Sequence, residues 1–234
     1  MVIKNGNLKK IKMKNILFFL LTLLVLSSCE IDNYDEPNLT VSGKIVDVQT
    51  NALVESGGSN GGTIVKFYQD NSSQALLFKT MPDGTFTNSR VFAGNYKYVA
   101  EGPFEVMTDT SSIVIKANTE IEIKVTPNVR LTASVVSKSG NEAVIKVNYE
   151  KVPASQTMTK LGLVWSNVTQ PNIFTFTGGN IITKDVQSMN LTSGEEEFTI
   201  TGLKANTKYY VRATATTNSP GNYYNYSTQI EVQE

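Results

Sequence analysis

The chain contains a single cysteine and no histidine, and these two counts limit the chemistry available to it. Histidine is the usual general base near neutral pH, so its absence excludes Ser-His-Asp and Cys-His nucleophile systems and histidine zinc sites. The thiol, Cys29, directly follows the apolar stretch 16–26 and two serines. A lone thiol in an exported protein has no internal disulfide partner, so the sequence predicts that Cys29 is covalently modified.

The segment around Cys29 resembles the lipobox of bacterial lipoproteins. A leader with five lysines and no acidic residue precedes the apolar stretch, which is the arrangement of a secretory signal; Met13 is an alternative start. The resemblance implies that Cys29 is acylated, that residues 1–28 are cleaved off, and that the acyl chains hold the protein in a membrane. Two acyl chains anchor a protein stably, because each buried CH₂ group contributes about 0.8 kcal/mol to membrane binding. A transmembrane helix is the alternative, but an apolar stretch of eleven residues falls short of the roughly 20 required.

Loss of the leader would make the protein acidic. The whole chain has 21 basic and 21 acidic side chains, and cleavage after residue 28 leaves 16 basic against 21 acidic, a net charge of −5. An acidic protein lacks the positive electrostatic potential that attracts the phosphates of nucleic acids, so nucleic acid is not an expected partner. The remaining length of about 206 residues suits two domains of ordinary size.

Residues 29–38 are expected to form an acidic tether. Their acidic and proline-containing composition lacks the apolar surface needed for independent folding. Acids just after the cysteine resemble the surface-export signal of Bacteroides-type lipoproteins, which implies an outer-membrane protein exposed at the cell surface; a solvated linker is the alternative. Asp32, Asp35 and Glu36 lack the regular spacing of a calcium loop, so no metal site is expected.

From residue 39 onward, apolar and polar residues alternate. This period of two is typical of half-buried strands, and turn residues separate the runs. The first series of alternating residues ends at Pro127, and a second series begins at Leu131. The pattern predicts an all-β protein with two consecutive β-sandwich domains, residues 39–127 and 128–234.

The second predicted domain resembles fibronectin type III modules. The resemblance rests on the stretch 203–213, Leu-Lys-Ala-Asn-Thr-Lys-Tyr-Tyr-Val-Arg-Ala. It implies that Leu203 fills the core and that the hydroxyl of Tyr209 binds the backbone at a tyrosine corner. Trp165 alternates in step with Leu161 and Leu163, so all three should face the same side of the strand. Trp165 is therefore expected to lie in the core and not to stack on a sugar.

The first predicted domain resembles transthyretin-like sandwiches of the carboxypeptidase-regulatory type. The matching stretches are 43–47, 82–86 and 92–96. The resemblance implies tight Asp-Gly and Gly-Asn-Tyr turns, with Phe86 and Tyr96 packed inward.

Taken together, the lipobox, tether and both modules resemble an uncharacterised family of two-domain Bacteroides-type surface lipoproteins. Relatives are commonly encoded beside starch-utilisation-type outer-membrane uptake systems, so the resemblance implies glycan handling next to a transporter and receptor pair. It implies no cofactor.

Two aromatic segments are candidates for ligand contact, because tyrosine faces and asparagine amides suit sugar rings or protein surfaces. The candidate residues are Asn222, Tyr223, Tyr224, Asn225 and Tyr226, together with Phe174 and Phe176. The alternative is a packed hairpin in which Tyr224 and Tyr226 share one buried face.

No catalytic residue is predicted. The triplet 195–197 (Glu-Glu-Glu) follows a Ser-Gly pair and is expected to be solvated in a turn, although paired carboxylates can hydrolyse glycosides. The sequence therefore predicts a non-catalytic, lipid-anchored accessory protein for glycan binding or uptake. A structural spacer or adhesin-type protein with a protein partner is the alternative.

Overall fold

The computed structural model describes residues 36–70, 72–174 and 180–233. Within these ranges the chain forms fifteen strands and one short 3₁₀ helix, which confirms the predicted all-β, immunoglobulin-like fold class. No described residue belongs to a helix with the length and apolarity needed to cross a membrane. Cys29 and the leader lie outside the described residues.

The first sandwich contains seven strands in two sheets. The strands are β1 (Leu39–Asp47), β2 (Ile64–Gln69), β3 (Leu76–Lys79), β4 (Thr85–Val91), β5 (Gly94–Glu101), β6 (Ser111–Ile115) and β7 (Thr119–Val125). One sheet has the order β4-β1-β7 and the other β3-β2-β5-β6. Strands β1 and β7 are parallel, and the other pairs in this sandwich are antiparallel.

Aromatic side chains fill the core of the first sandwich. The rings of Phe67 and Phe78 stack with their centroids 4.5 Å apart. Phe86 and Tyr96 are both buried in this cluster, which confirms their predicted inward orientation. The Tyr96 hydroxyl donates a 3.1 Å hydrogen bond to the carbonyl of Phe92, so its polar end is satisfied.

The second sandwich contains the remaining eight strands. They are β8 (Val129–Ser139), β9 (Glu142–Lys151), β10 (Met158–Ser166), β11 (Ile181–Asp185), β12 (Ser193–Ile200), β13 (Tyr209–Thr217), β14 (Tyr224–Tyr226) and β15 (Ile230–Val232). One sheet has the order β12-β9-β8 and the other β11-β10-β13-β14, with β15 also paired to β13. The 3₁₀ helix Gln187–Met189 links β11 to β12.

Three residues of the second sandwich occupy the positions predicted for them. Trp165 and Leu203 are buried in its hydrophobic cluster. The Tyr209 hydroxyl accepts a 3.3 Å hydrogen bond from the backbone N–H of Lys204, which is the predicted tyrosine corner. The bond spans five residues and fixes the turn that leads into β13.

The sheet containing β10, β13 and β14 is buried on both faces. Its inner face packs into the sandwich core, while Val164, Tyr224 and Tyr226 form a separate buried cluster. Arg212 and Thr214, on the polar phase of β13, are also buried. In an isolated sandwich these polar residues would face solvent. They are buried here because the first sandwich covers this face of the sheet.

Candidate functional site

Arg212 joins the two sandwiches at the centre of their contact. Its side chain is completely buried, and Nη2 donates to Glu55 Oε2 at 2.8 Å. Its other hydrogen bonds go to the carbonyl oxygens of Ser56, Pro82, Pro171 and Ser227, at 3.0–3.4 Å. The five bonds match the five N–H donors of a guanidinium, so Arg212 is fully satisfied without water.

Arg212 also lies against an aromatic ring. Its Cζ is 4.3 Å from the centroid of Tyr226, within cation–π range. Burial lowers the pKa of Arg212, while the nearby Glu55 carboxylate opposes that effect. Burial raises the pKa of Tyr226 to about 12, against a hydrogen bond from the Ile173 N–H and the Arg212 charge. Tyr226 therefore remains a neutral phenol that accepts the Ile173 bond at 3.2 Å.

Asn225 makes a second bridge between the sandwiches. Its amide nitrogen donates to the carbonyl of Pro103 at 2.8 Å, and its amide oxygen accepts from the N–H of Val129 at 3.0 Å. Pro103 lies in the first sandwich and Val129 begins the second. The side chain therefore closes the junction where the chain passes between them.

These contacts correct the predicted aromatic ligand surface. Tyr224, Asn225 and Tyr226 are buried against the chain itself, so they do not form an open aromatic surface. The packed-hairpin alternative describes them correctly. Asn222 is exposed and Tyr223 is half-buried.

Phe174 packs partly across the same junction. Its ring meets Tyr224 edge-on with centroids 5.9 Å apart, although 42% of the residue remains exposed. It also lies against Gly61, where a Cβ would come within 2.2 Å of the ring. The other predicted phenylalanine, Phe176, lies outside the described residues.

A cleft of about 470 Å³ opens beside this junction. Asp47, Thr50 and residues 52–55 of the first sandwich form one wall. The other wall contains residues 129–132 of β8, 148–150 of β9, and part of the segment 225–228. Pockets at domain interfaces with a few convergent polar groups are typical ligand sites. This cleft is therefore the candidate functional site.

A hydrogen-bonded charge network spans the cleft from one wall to the other. Arg130 binds both carboxylate oxygens of Asp47, with Nε at 2.6 Å and Nη2 at 3.1 Å. The same Nη2 donates to Gln49 Oε1 at 2.8 Å, and Nη1 donates to Glu150 Oε2 at 3.1 Å. The network holds four planar polar groups in fixed positions at the cleft.

Asp47 is the most strongly perturbed carboxyl group of this network. Burial opposes its ionisation, but hydrogen bonds from Arg130, the Gln49 N–H and Thr50 outweigh burial and lower its pKa to about 2. Asp47 is therefore ionised at neutral pH and cannot serve as a proton donor there. Its two oxygens therefore act as fixed hydrogen-bond acceptors at the cleft.

A smaller groove of about 230 Å³ lies between the first sandwich and the loop 219–223. Tyr223 lines it together with Phe104 and Met107. Burial raises the pKa of Tyr223, with the Glu101 charge adding to the effect and the Lys66 charge opposing it. Of the predicted aromatic candidates, Tyr223 is the one that lines a groove with part of its surface accessible.

The acidic triplet 195–197 lies in strand β12 and not in the predicted turn. Glu195 Oε2 is 3.6 Å from the Nζ of Lys146, and Glu196 Oε1 is 2.5 Å from the Nζ of Lys184. Successive residues of a strand point to opposite faces, so Glu195 and Glu196 do not converge on one bond. Among the described residues, no three acidic, cysteine or histidine side chains come together as a metal site.

The first sandwich matches a known family model. The match covers residues 39–126, and the model is described as a protein of unknown function (DUF3823), N-terminal domain. Residues 39–126, which form the first sandwich, are therefore similar to the DUF3823 N-terminal domain. No curated protein matches the chain.

Solved structures of DUF3823 proteins share the fold of both sandwiches. One from Bacteroides uniformis is 21% identical with a TM-score of 0.72, covering 84% of this chain and 99% of that chain. One from Parabacteroides merdae is 15% identical with a TM-score of 0.71, covering 85% and 100%. Another Bacteroides uniformis structure, 20% identical with a TM-score of 0.69, covers 85% and 100% and is described as a "putative carbohydrate binding protein". At these identities the similarity establishes the fold.

Sequence reasoning missed the residues that build the cleft between the two sandwiches. Asp47 and Arg130 lie 83 positions apart and meet only after both sandwiches have formed. Asp47 gave one local signal, because an aspartate before a turn caps backbone N–H groups, as it does for Gln49 at 2.9 Å. Nothing in the sequence pairs it with Arg130.

Proposed function

We propose that this protein is a non-catalytic, lipid-anchored accessory protein of the outer membrane that binds carbohydrate in the cleft between its sandwiches. The observation that carries the proposal is the network of Asp47, Arg130, Gln49 and Glu150 across a cleft of about 470 Å³. A cleft of this volume falls within the range of small-ligand sites.

The chemistry of the walls suits a sugar. Sugar hydroxyls both donate and accept hydrogen bonds, and the network offers guanidinium, carboxylate and amide groups already held in place. Leu53, which is 43% exposed, and Leu131 add apolar surface for the C–H face of a ring. The description of one structural relative as a carbohydrate binding protein supports the same proposal.

Calorimetric titration of the full chain, purified in detergent, against a panel of oligosaccharides tests the binding. The informative variant is N148A, because Asn148 is exposed, lines the cleft and donates to Thr132 Oγ1 at 3.2 Å. Loss of its hydrogen bonds to a ligand should weaken binding about fivefold or more. The matched control is N141A, in an exposed turn outside the cleft. Absence of heat with every glycan contradicts the proposal.

The anchor has its own test. The variant C29S should appear in the soluble fraction of cells, because serine offers no thiol for the diacylglyceryl group. S28A keeps a small residue before the cysteine and should remain in the outer-membrane fraction. Labelling of intact cells with an antibody tests surface exposure. An unmodified Cys29 in the membrane-bound protein would contradict the anchor.

The rigid junction favours a second candidate function, a structural spacer at the cell surface. The five hydrogen bonds of Arg212 fix the two sandwiches to each other, which suits a protein that holds a partner at a set distance. Capture from solubilised membranes distinguishes the two. A spacer should recover a transporter and receptor pair whether or not sugar is present, and N148A should not alter that recovery.

A further inference from the structure

We infer that the cleft between the sandwiches selects neutral glycans and rejects anionic ones such as uronic acid oligomers. The inference rests on the proposed function and names the ligand class of the same site. It follows from the charges that line the cleft and from the hydrogen-bonding capacity they leave unused.

The charged residues lining the cleft are three acids and one base, Asp47, Glu55, Glu150 and Arg130. Glu55 is neutralised by the buried Arg212. The remaining groups are two carboxylates and one guanidinium, so the cleft has a net negative charge. A carboxylate on a ligand would meet like charge there, whereas a neutral ring would not.

Arg130 has little capacity left for an incoming anion. Four of its five N–H groups donate to Asp47, Gln49 and Glu150, including both N–H groups of the bidentate Asp47 pair. Bidentate binding of a ligand carboxylate would require Arg130 to release Asp47, whose own side chain is 4% exposed. Such a release would leave a buried carboxylate unpaired, which is costly.

The same geometry suits a hydroxyl group. One N–H of Arg130 Nη1 is unused among the described residues, and Glu150 uses one of its two oxygens for Arg130. A sugar hydroxyl can accept from that N–H and donate to the second Glu150 oxygen at once. Glu150 is therefore the specificity-determining residue of the site, and its 55% exposed side chain is accessible to a ligand.

The test is titration of the full chain with pairs of neutral hexose oligosaccharides and the hexuronates of the same length and linkage. At low ionic strength the hexuronate should bind at least about tenfold more weakly, and salt should narrow the difference. The readout is the ratio of the two dissociation constants. The variant E150Q removes one charge and should reduce this ratio about threefold or more.

The matched control is E197Q, which removes the same charge from an exposed position of β12 outside the cleft. It should leave the ratio unchanged. Equal effects of E150Q and E197Q would assign the selectivity to overall charge and overturn the inference. Equal or tighter binding of the hexuronate to the unmodified protein would also overturn it, with the proposed function intact. No binding of either sugar would overturn both.

Discussion

Arg212 and Glu55 form a buried ion pair at 2.8 Å between residues 157 positions apart in the chain. Glu55 belongs to the first sandwich and Arg212 to the middle of β13 in the second sandwich. Each partner lies in a surface that would be solvated if its sandwich stood alone. The pair therefore makes the two sandwiches interdependent for their stability.

Removal of Arg212 should destabilise the whole protein. R212M keeps apolar volume but leaves Glu55 buried without a partner, and we expect a loss of about 3–5 kcal/mol in the free energy of unfolding. Urea denaturation followed by the fluorescence of Trp165, the only tryptophan, measures this loss. R212K should also be destabilised, because lysine lacks the planar set of five donors.

Two controls separate the ion pair from general effects. The double variant R212M/E55L removes both charges and should recover part of the stability lost in R212M, because no unpaired carboxylate remains. K208M removes a cation from an exposed pair with Glu231 and should leave the midpoint unchanged. If R212M unfolds at the same urea concentration as the unmodified protein, the pair does not stabilise the junction.

The Asp47 and Arg130 pair predicts a specific loss of stability in acid. The pKa of Asp47 in the folded protein is about 2, below its ordinary value of 3.8. A depressed pKa contributes stability that is fully present above the ordinary value and is lost as the pH falls towards 2. The difference in unfolding free energy between the unmodified protein and D47N should therefore narrow by about 2 kcal/mol between pH 6 and pH 2.

D109N is the charge-matched control for D47N. Asp109 is exposed in the loop before β6, and its carboxylate accepts a 3.4 Å hydrogen bond from the hydroxyl of its neighbour Thr108. The unfolding free energy of D109N should follow that of the unmodified protein across the same pH range. A constant difference for D47N from pH 6 to pH 2 would mean that Arg130 does not hold Asp47 ionised.

The tyrosine corner should contribute one hydrogen bond to stability. Y209F keeps the ring in the core but leaves the Lys204 N–H without its acceptor, and we expect a loss of about 1 kcal/mol. Y210F is the matched control, since Tyr210 is half-buried at the adjacent position. Thermal unfolding followed by Trp165 fluorescence measures both. Equal unfolding midpoints for Y209F and Y210F would show that the hydrogen bond at the tyrosine corner makes no net contribution to stability.

A glycine pair tests the packing of Phe174 across the junction. Gly61 has φ +69° and lies against the Phe174 ring, whereas Gly202 has φ +75° with open space around it. Both alanine variants incur backbone strain of about 1 kcal/mol, but only G61A must also displace the ring. G61A should therefore be less stable than G202A in urea, and equal loss would indicate that Phe174 can move away without cost.

The sequence was most informative where a pattern is local. Tyr209 was predicted at its corner and Trp165 in its core, because each lies within a strand whose alternation shows which phase is buried. The inward packing of Phe86 and Tyr96 was implied by the resemblance to transthyretin-like sandwiches, which also rests on short local stretches. The fold class follows from many such local patterns together.

The alternation failed where one sandwich covers the other. Arg212 and Thr214 occupy the polar phase of β13, so the pattern predicts exposure, yet both are buried. Tyr224 and Tyr226 were candidates for ligand contact because they lie beside asparagines in an aromatic segment, and they too are buried. Alternation reports which phase faces the core of its own sandwich, and it contains no information on what covers the outer face.

The position of Arg212 also sets an order of events during synthesis. Glu55, Ser56 and Pro82 emerge first, and Arg212, the donor to all three, arrives only with β13, near the end of the chain. Until then the Glu55 carboxylate is open to water. The contact between the sandwiches can therefore be completed only when most of the chain has been synthesised.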